Sequence, residues 1–287
     1  MNEGSRKLAC GSLWEMTNRA RVITLIGAGG KTTCLQRLTR EISASGYPVT
    51  ATTTTKVYPE VHIPAWHHGQ PPSSEHPGAY FWYSELEERS GKWLGFSPEI
   101  VDEAIQEDYQ QSALEGEAFR HWVIEGDGAR EHRLKCWAEH EPQIPRRSDC
   151  GVLVLAGSLW GQVLKAEDVH RAERCTDLLD LPWTEESVWR YLLRSPVFWP
   201  QYGGISWVIL LNFHGVNIVP PSVLPEASEG AVLHNFSALN AKDLLEALSS
   251  RWLKLQEQGL DLEKRPRRLR LALGDAKEGT LTWFDLW

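Results

Sequence analysis

The chain has 287 residues, 42% hydrophobic and 24% charged, which is enough apolar content for a large packed core and excludes a disordered chain as the default. Thirty-eight acidic residues against 30 lysines and arginines give a formal charge of −8, so the positive field with which a general nucleic-acid binder displaces counterions is missing. Five cysteines, Cys10, Cys34, Cys136, Cys150 and Cys175, are odd in number and contain no CxxC pair, which argues against a disulfide framework or a zinc knuckle and fits reduced cytosol.

The N-terminal region shows no apolar stretch ahead of a small-residue cleavage site, and the longest apolar runs, such as Trp207–Leu211, are strand-sized. The expectation is a cytoplasmic chain without signal peptide or membrane span. The first strong element is a strand over Arg21–Ile26, followed by Gly27, Ala28, Gly29, Gly30, Lys31, Thr32 and Thr33. Glycines let successive N–H groups face one anion, Lys31 neutralises phosphate charge, and the Thr32 hydroxyl reaches a magnesium ion. The pattern GxxxxGK[ST] asks for glycine where Leu25 stands, so this is a shorter GxxGKTT loop, with the spacing seen in Mur-type ATP-dependent ligases. A plain glycine turn between strand and helix reads the same; the strand before and the helix after favour phosphate binding.

That helix runs from Thr32 to about Ala44, with Leu35, Leu38 and Ile42 forming its apolar stripe and Gly46 ending it. Pro48–Lys56 resumes as a β-branched strand whose carboxyl end brings Thr54 and Lys56 beside the loop, as candidates to hold magnesium, a γ-phosphate or a substrate anion. Residues 59–78 read as an irregular proline-rich insert, and its His62, His67, His68 and His76 match no common zinc spacing. Tyr80–Tyr83 and Lys92–Phe96 look like a short hairpin. Ser97 as N-cap and Pro98 at the first helical position then open a helix with Ile100, Val101, Ala104 and Ile105 on one side.

His121–Ile124 is an apolar strand ending in Glu125-Gly126-Asp127-Gly128-Ala129-Arg130. Side chains alternate along a strand, so Glu125 and Asp127 share a side; one suits magnesium or its water, the other an attacking water or substrate hydroxyl, and the two roles are interchangeable at this level.

Taken together, the loop, the Thr52–Lys56 strand, the Glu125–Arg130 turn and Lys135-Cys136-Trp137-Ala138-Glu139-His140-Glu141-Pro142-Gln143-Ile144-Pro145 resemble the YqeC family, accessory proteins of selenium-dependent molybdenum hydroxylases. Val152–Ala156, Gly157-Ser158-Leu159 and Val169-His170-Arg171 follow in the family's order, so the resemblance covers about residues 20 to 215. It implies a nucleoside-triphosphate-binding protein that matures a molybdenum hydroxylase or its molybdenum cofactor, at a step that installs a labile selenium or sulfur ligand. By the same resemblance Arg130, Glu139, His140, Glu141, His170 and Arg171 join the candidate site. Glu139, His140 and Glu141 are read for substrate or metal contact, His170 as proton donor and Arg171 as a phosphate-binding fork. Cys136 stands where the family pattern has proline.

Ile205–Asn212 is a further strand. Asn212-Phe213-His214-Gly215 stands where relatives read Asn-Lys-x-Asp, and without that aspartate and lysine guanine selection is lost, which favours ATP or an unselective site. Ala238–Leu253 reads as an amphipathic helix. Lys264, Arg265, Arg267, Arg268 and Arg270 form a basic run read as a solvated linker or strand edge.

The resulting expectation is a three-layer α/β, P-loop NTPase-like fold with a mainly parallel sheet, comprising residues 1–257 with the insert at 59–78 and a C-terminal extension at 258–287. In it Lys31, Glu125 and Asp127 act in catalysis, and Thr32 with Asp127 or Glu125 holds magnesium. Two rival readings are an ATP-dependent small-molecule ligase or kinase, and a non-enzymatic chaperone that binds nucleotide or pterin cofactor and docks on a hydroxylase.

Overall fold

A computed structural model describes residues 8–213 apart from 61, 74, 117 and 118, together with 247, 248, 250 and 266–286. Its elements in chain order begin with β1 (Ala9–Gly11), α1 (Leu13–Met16), β2 (Val22–Gly27), α2 (Lys31–Ala44), β3 (Val49–Thr53), β4 (Lys56–Val57) and β5 (Ala65–Trp66). Next come β6 (Ala79–Trp82), β7 (Glu85–Glu87), β8 (Lys92–Leu94), α3 (Pro98–Glu115), β9 (His121–Glu125) and β10 (Leu134–Lys135). The remainder are β11 (Cys150–Ala156), β12 (Val169–His170), α4 (Glu185–Arg194), β13 (Ser206–Asn212), β14 (Arg268–Asp275) and β15 (Thr280–Asp285).

Strands β2, β3, β9 and β11 are buried at every residue, the threonines of β3 included, as strands are when a parallel sheet is covered on both faces. Ten strands form one sheet in the order β1-β15-β14-β13-β11-β2-β9-β3-β6-β5. Pairing is parallel from β14 through to β5, and antiparallel only where β15 meets β14 and β1. On one face Leu35, Leu38 and Ile42 of α2 pack in a cluster with Ile23, Leu25 and Val123. On the other, Val101 and Ile105 of α3 cluster with Trp122 and Ile124, while Val188 and Trp189 of α4 cluster with Leu153 and Ile209. The fold is thus mixed α/β with a large, mostly parallel sheet between few helices. Trp82, Trp122, Trp183, Trp189 and Trp207 are fully buried, so packing accounts for much of the tryptophan content.

From β2 the chain passes to β3, returns to insert β9 between the two, and then crosses to β11 on the opposite side of β2. Strand order therefore reverses around β2, and the crevice that such a reversal leaves lies outside its carboxyl end. The Gly27–Thr33 loop begins there.

Several expectations need correction. Ala79–Trp82 and Lys92–Leu94 do not form a hairpin: β6 joins the main sheet beside β3, and β8 pairs antiparallel with β7 and β4 in a separate three-stranded sheet. The segment set apart as a C-terminal extension supplies β14 and β15 to the main sheet, and Arg270 is buried there, with its guanidinium on Asp285 and on the Met16 carbonyl. Cys136 and Cys175 are joined in a disulfide across 39 residues, against the reading of uniformly reduced thiols. Of the helix expected over Ala238–Leu253, only Ala247, Leu248 and Ser250 lie within the described residues; they are helical, and Leu248 is buried. Ser97 and Pro98 do open α3, and the Ser97 hydroxyl accepts from the Ile100 amide at 3.4 Å.

Candidate functional site

The glycines of the loop adopt left-handed backbone angles, φ 93° at Gly27, 90° at Gly29 and 121° at Gly30. At Gly29 the reason is also steric, because a Cβ there would lie 2.5 Å from the Ala156 backbone nitrogen. The Ala28 amide donates to the Val154 carbonyl at 3.0 Å, which pins the loop to β11. Asn212 pins it a second time: its Nδ2 donates to the Gly29 carbonyl at 2.8 Å while its Oδ1 accepts from the Ala276 amide at 3.0 Å. Asn212 is thus a strut between the loop and the turn after β14, a role invisible when it is compared with a guanine-selecting motif.

Beneath the loop lies a buried charge cluster. Both oxygens of Asp127 accept from the Gly27 amide, at 3.1 and 3.0 Å, and Oδ2 also accepts from the Trp137 indole at 2.8 Å. Lys31 Nζ lies 3.2 Å from Asp127 and 3.7 Å from Glu125, and donates to the Gly27 carbonyl at 2.7 Å. Burial alone would lower the Lys31 pKa, yet the two carboxylates outweigh it and hold the ammonium above its usual range. Burial pushes the Glu125 carboxyl up, opposed by Lys31. The Thr32 hydroxyl, in the first turn of α2, donates to Glu125 Oε2 at 3.3 Å. Lys31, Thr32, Glu125 and Asp127 therefore meet in one place, as the spacing implied.

The facing wall is built on a ladder. Lys135, fully buried, donates to the Gly128 carbonyl at 2.5 Å and to Glu141 Oε1 at 3.0 Å, and Arg171 Nε donates to Glu141 Oε2 at 2.8 Å. Burial would raise Glu141, but Arg171 and Lys135 bring it down to about 2. His170 is lowered to about 4 by burial and by the charges of Lys135 and Arg171, so it is neutral at pH 7. Those surroundings favour the imidazole over the imidazolium form expected of a proton donor.

A stability profile follows from these two groups. The unfolded chain binds a proton at His170 near pH 6.5 that the folded chain takes only near 4, so stability on this account is complete above pH 6.5 and is lost as pH falls toward 4. Glu141 continues the loss between 4.5 and about 2. Thermal midpoints are expected to fall steadily from pH 7 to pH 4, and His170→Gln should flatten that limb. A wild-type midpoint that does not move between pH 6.5 and 4 would refute the account.

Loop and wall enclose a cleft of about 980 Å³. Of the residues expected from the sequence, Ala28, Gly29, Gly30, Lys31, Thr32 and Thr33 line one side, joined by Lys56 and Glu125, while Arg130, Glu141, His170 and Arg171 line another. Gly27, Thr54 and Asp127 are buried behind the lining, with the Thr54 hydroxyl donating to the Gln143 carbonyl at 2.8 Å. Glu139 and His140 are exposed and outside it, because consecutive side chains in a turn diverge. Lys56 is paired with Glu87. Lys135, Trp137 and Asn212 are not among the expected site residues, although Lys135 and Trp137 stand in the Lys135–Pro145 motif and Asn212 where relatives read Asn-Lys-x-Asp. Among the described residues no group of three or more His, Cys, Asp or Glu side chains is placed to hold a metal ion, the histidines of the 59–78 insert included. No helix among them is long and apolar enough to cross a membrane.

The sequence profile of the YqeC protein family matches residues 23–173, from β2 through the loop and both cleft walls to Arg171. The chain belongs to the YqeC family. An Escherichia coli (strain K12) relative, named "Uncharacterized protein YqeC", is 34% identical over 168 residues, which is 57% of this chain and 62% of the relative. The chain thus spans less than two thirds of that relative's length. No solved structure matches. The YqeC match contains Lys31, Glu125, Asp127, Lys135, Glu141, His170 and Arg171, whereas Asn212, β14 and β15 lie beyond it.

Proposed function

We propose that this YqeC-family protein binds a nucleoside triphosphate with magnesium at Gly27–Thr33, in the manner of a P-loop NTPase, and hydrolyses it slowly. The observation that carries this reading is a glycine loop at the carboxyl end of a central parallel strand that hands Lys31 and Thr32 to a cleft at the N-terminus of α2. There Lys31 leaves its carboxylates for the β- and γ-phosphates. The oxygen donors of Thr32 and Glu125 suit magnesium, which usually keeps several waters and takes only one or two protein ligands. When bound, the ion would neutralise charge between the phosphates. Asp127, with its oxygens committed to Gly27 and Trp137, holds the loop and positions Lys31.

The cellular setting we propose is maturation of a molybdenum hydroxylase, with the molybdenum cofactor as substrate; the family resemblance supports it. One observation favours the kinase or ligase reading as a runner-up: the cleft continues past the loop to Arg130, His170 and Arg171, leaving room for an acceptor.

Calorimetry with Mg·ATP and Mg·GTP tests the nucleotide reading. The wild type is expected to bind Mg·ATP, and Lys31→Ala to bind about 100-fold more weakly, or about 2.7 kcal/mol. Thermal melts of the same samples separate lost binding from lost folding. A wild type that binds neither nucleotide overturns the proposal.

A further inference from the structure

The cations of the cleft divide into two kinds. Arg133 is consumed by structure: its guanidinium donates to Gln162, Asp168 and both the carbonyl and the hydroxyl of Ser158. Arg171 is held only through Nε, by Glu141, and its terminal nitrogens have no protein partner among the described residues. Arg130 is exposed on the same lining and has no hydrogen-bonded or ion-paired partner there. Both free arginines stand on left-handed backbone, φ 47° at Arg130 and 63° at Arg171, a conformation that long side chains rarely adopt. Such strain persists where the surroundings over-determine it, and at Arg171 they do: Glu141 clamps it and the fully buried Lys135 clamps Glu141.

Charge points the same way. On this wall Lys135 is paired with Glu141 and Asp127 and Arg171 with Glu141 alone, while Arg130 is unpaired among the described residues, and His170 beside them is lowered by burial first and then by the charges of Lys135 and Arg171. A guanidinium locked through Nε and open at its other two nitrogens is preorganised for paired oxygens of a tetrahedral anion.

We propose that Arg130 and Arg171, with His170 beside them, form a second anion subsite that takes the phosphate group of a phosphorylated small molecule, separate from the Gly27–Thr33 loop. The use of this subsite for a co-substrate rests on the nucleotide reading above; the anion site does not. Asparagine tolerates left-handed backbone, so Arg130→Asn and Arg171→Asn remove the guanidinium while leaving the local conformation cheap.

The test is ligand-observed ³¹P NMR titration with inorganic phosphate on four proteins: wild type, Lys31→Ala, Arg130→Asn and Arg171→Asn. To block the loop, each titration is repeated with magnesium and a non-hydrolysable ATP analogue. Phosphate binding is expected to persist in Lys31→Ala and in analogue-saturated wild type, and to weaken about 10-fold or more in each arginine variant. Binding that disappears in Lys31→Ala and survives both arginine changes overturns the subsite. Succinate that displaces phosphate at equal concentration overturns its assignment to phosphate. Wild type that ignores the analogue yet binds phosphate through the arginines sinks the nucleotide reading and leaves the subsite standing.

Discussion

Replacing Asp127 by alanine is expected to lower folding stability by about 3–5 kcal/mol, the range for removing one partner of a buried ion pair. Asp127 is fully inaccessible, and its carboxylate receives the Gly27 amide, the Trp137 indole and the Lys31 ammonium together. The truncation leaves an indole N–H and an amide N–H without this acceptor, each costing about 1–3 kcal/mol, and a buried ammonium whose remaining carboxylate, Glu125, lies at 3.7 Å. Asp127→Asn, which keeps the volume and one acceptor oxygen, should fall between wild type and alanine. Urea unfolding followed by tryptophan fluorescence reads the difference. An alanine variant whose midpoint matches the wild type would sink the claim that this carboxylate holds the loop.

The second large effect concerns Gly29→Ala. An added Cβ would meet the nitrogen, Cα and Cβ of Ala156 at 2.5, 2.6 and 2.6 Å, so either the loop or the end of β11 must move. Backbone atoms cannot swing aside as a flexible side chain can, and the φ of 90° disfavours alanine by a further ~1–2 kcal/mol. Mg·ATP affinity is expected to drop at least about 100-fold. Gly46→Ala supplies the control: its φ is 87°, but a Cβ there meets nothing within 4 Å. It should therefore lose stability through the dihedral alone and keep its affinity. Equal binding by Gly29→Ala and wild type would mean the loop does not cradle phosphate in this geometry.

What could be read in the chain was local. Gly27–Thr33 announces itself because strand, turn and helix are contiguous, and α3 because Ser97 and Pro98 stand together at its start. Asn212 could not be read, since its partner at Gly29 is 183 residues away and nothing in its own neighbourhood marks the link. Lys135 escaped for the same reason: its meaning depends on Asp127, Glu141 and Arg171, which only the folded chain brings to it. β-Propensity identified Tyr80–Tyr83 as extended but carried no information about its partner, so it was paired with the nearest strand signal instead of with β3. Glu139 and His140 looked like ligands because they are adjacent in one dimension. The charge state of His170 depends on burial and on Lys135, neither of which its flanking residues disclose.

The antiparallel edge of the sheet ties distant parts of the chain to the glycine loop. β1 pairs with β15 in the register Ala9 with Trp283, so an early strand is joined to a late one 274 positions further along the chain. The turn that anchors Asn212, and through it the Gly29 carbonyl, also belongs to that late segment. A chain lacking the β14–β15 hairpin would keep the Ala28–Val154 and Gly27–Asp127 holds on the glycine loop and lose the Ala276 amide that fixes Asn212. Through Asn212 the glycine loop is thus tied to a strand pair far from it in the chain, so damage to the sheet's antiparallel edge would be felt at the Gly29 carbonyl.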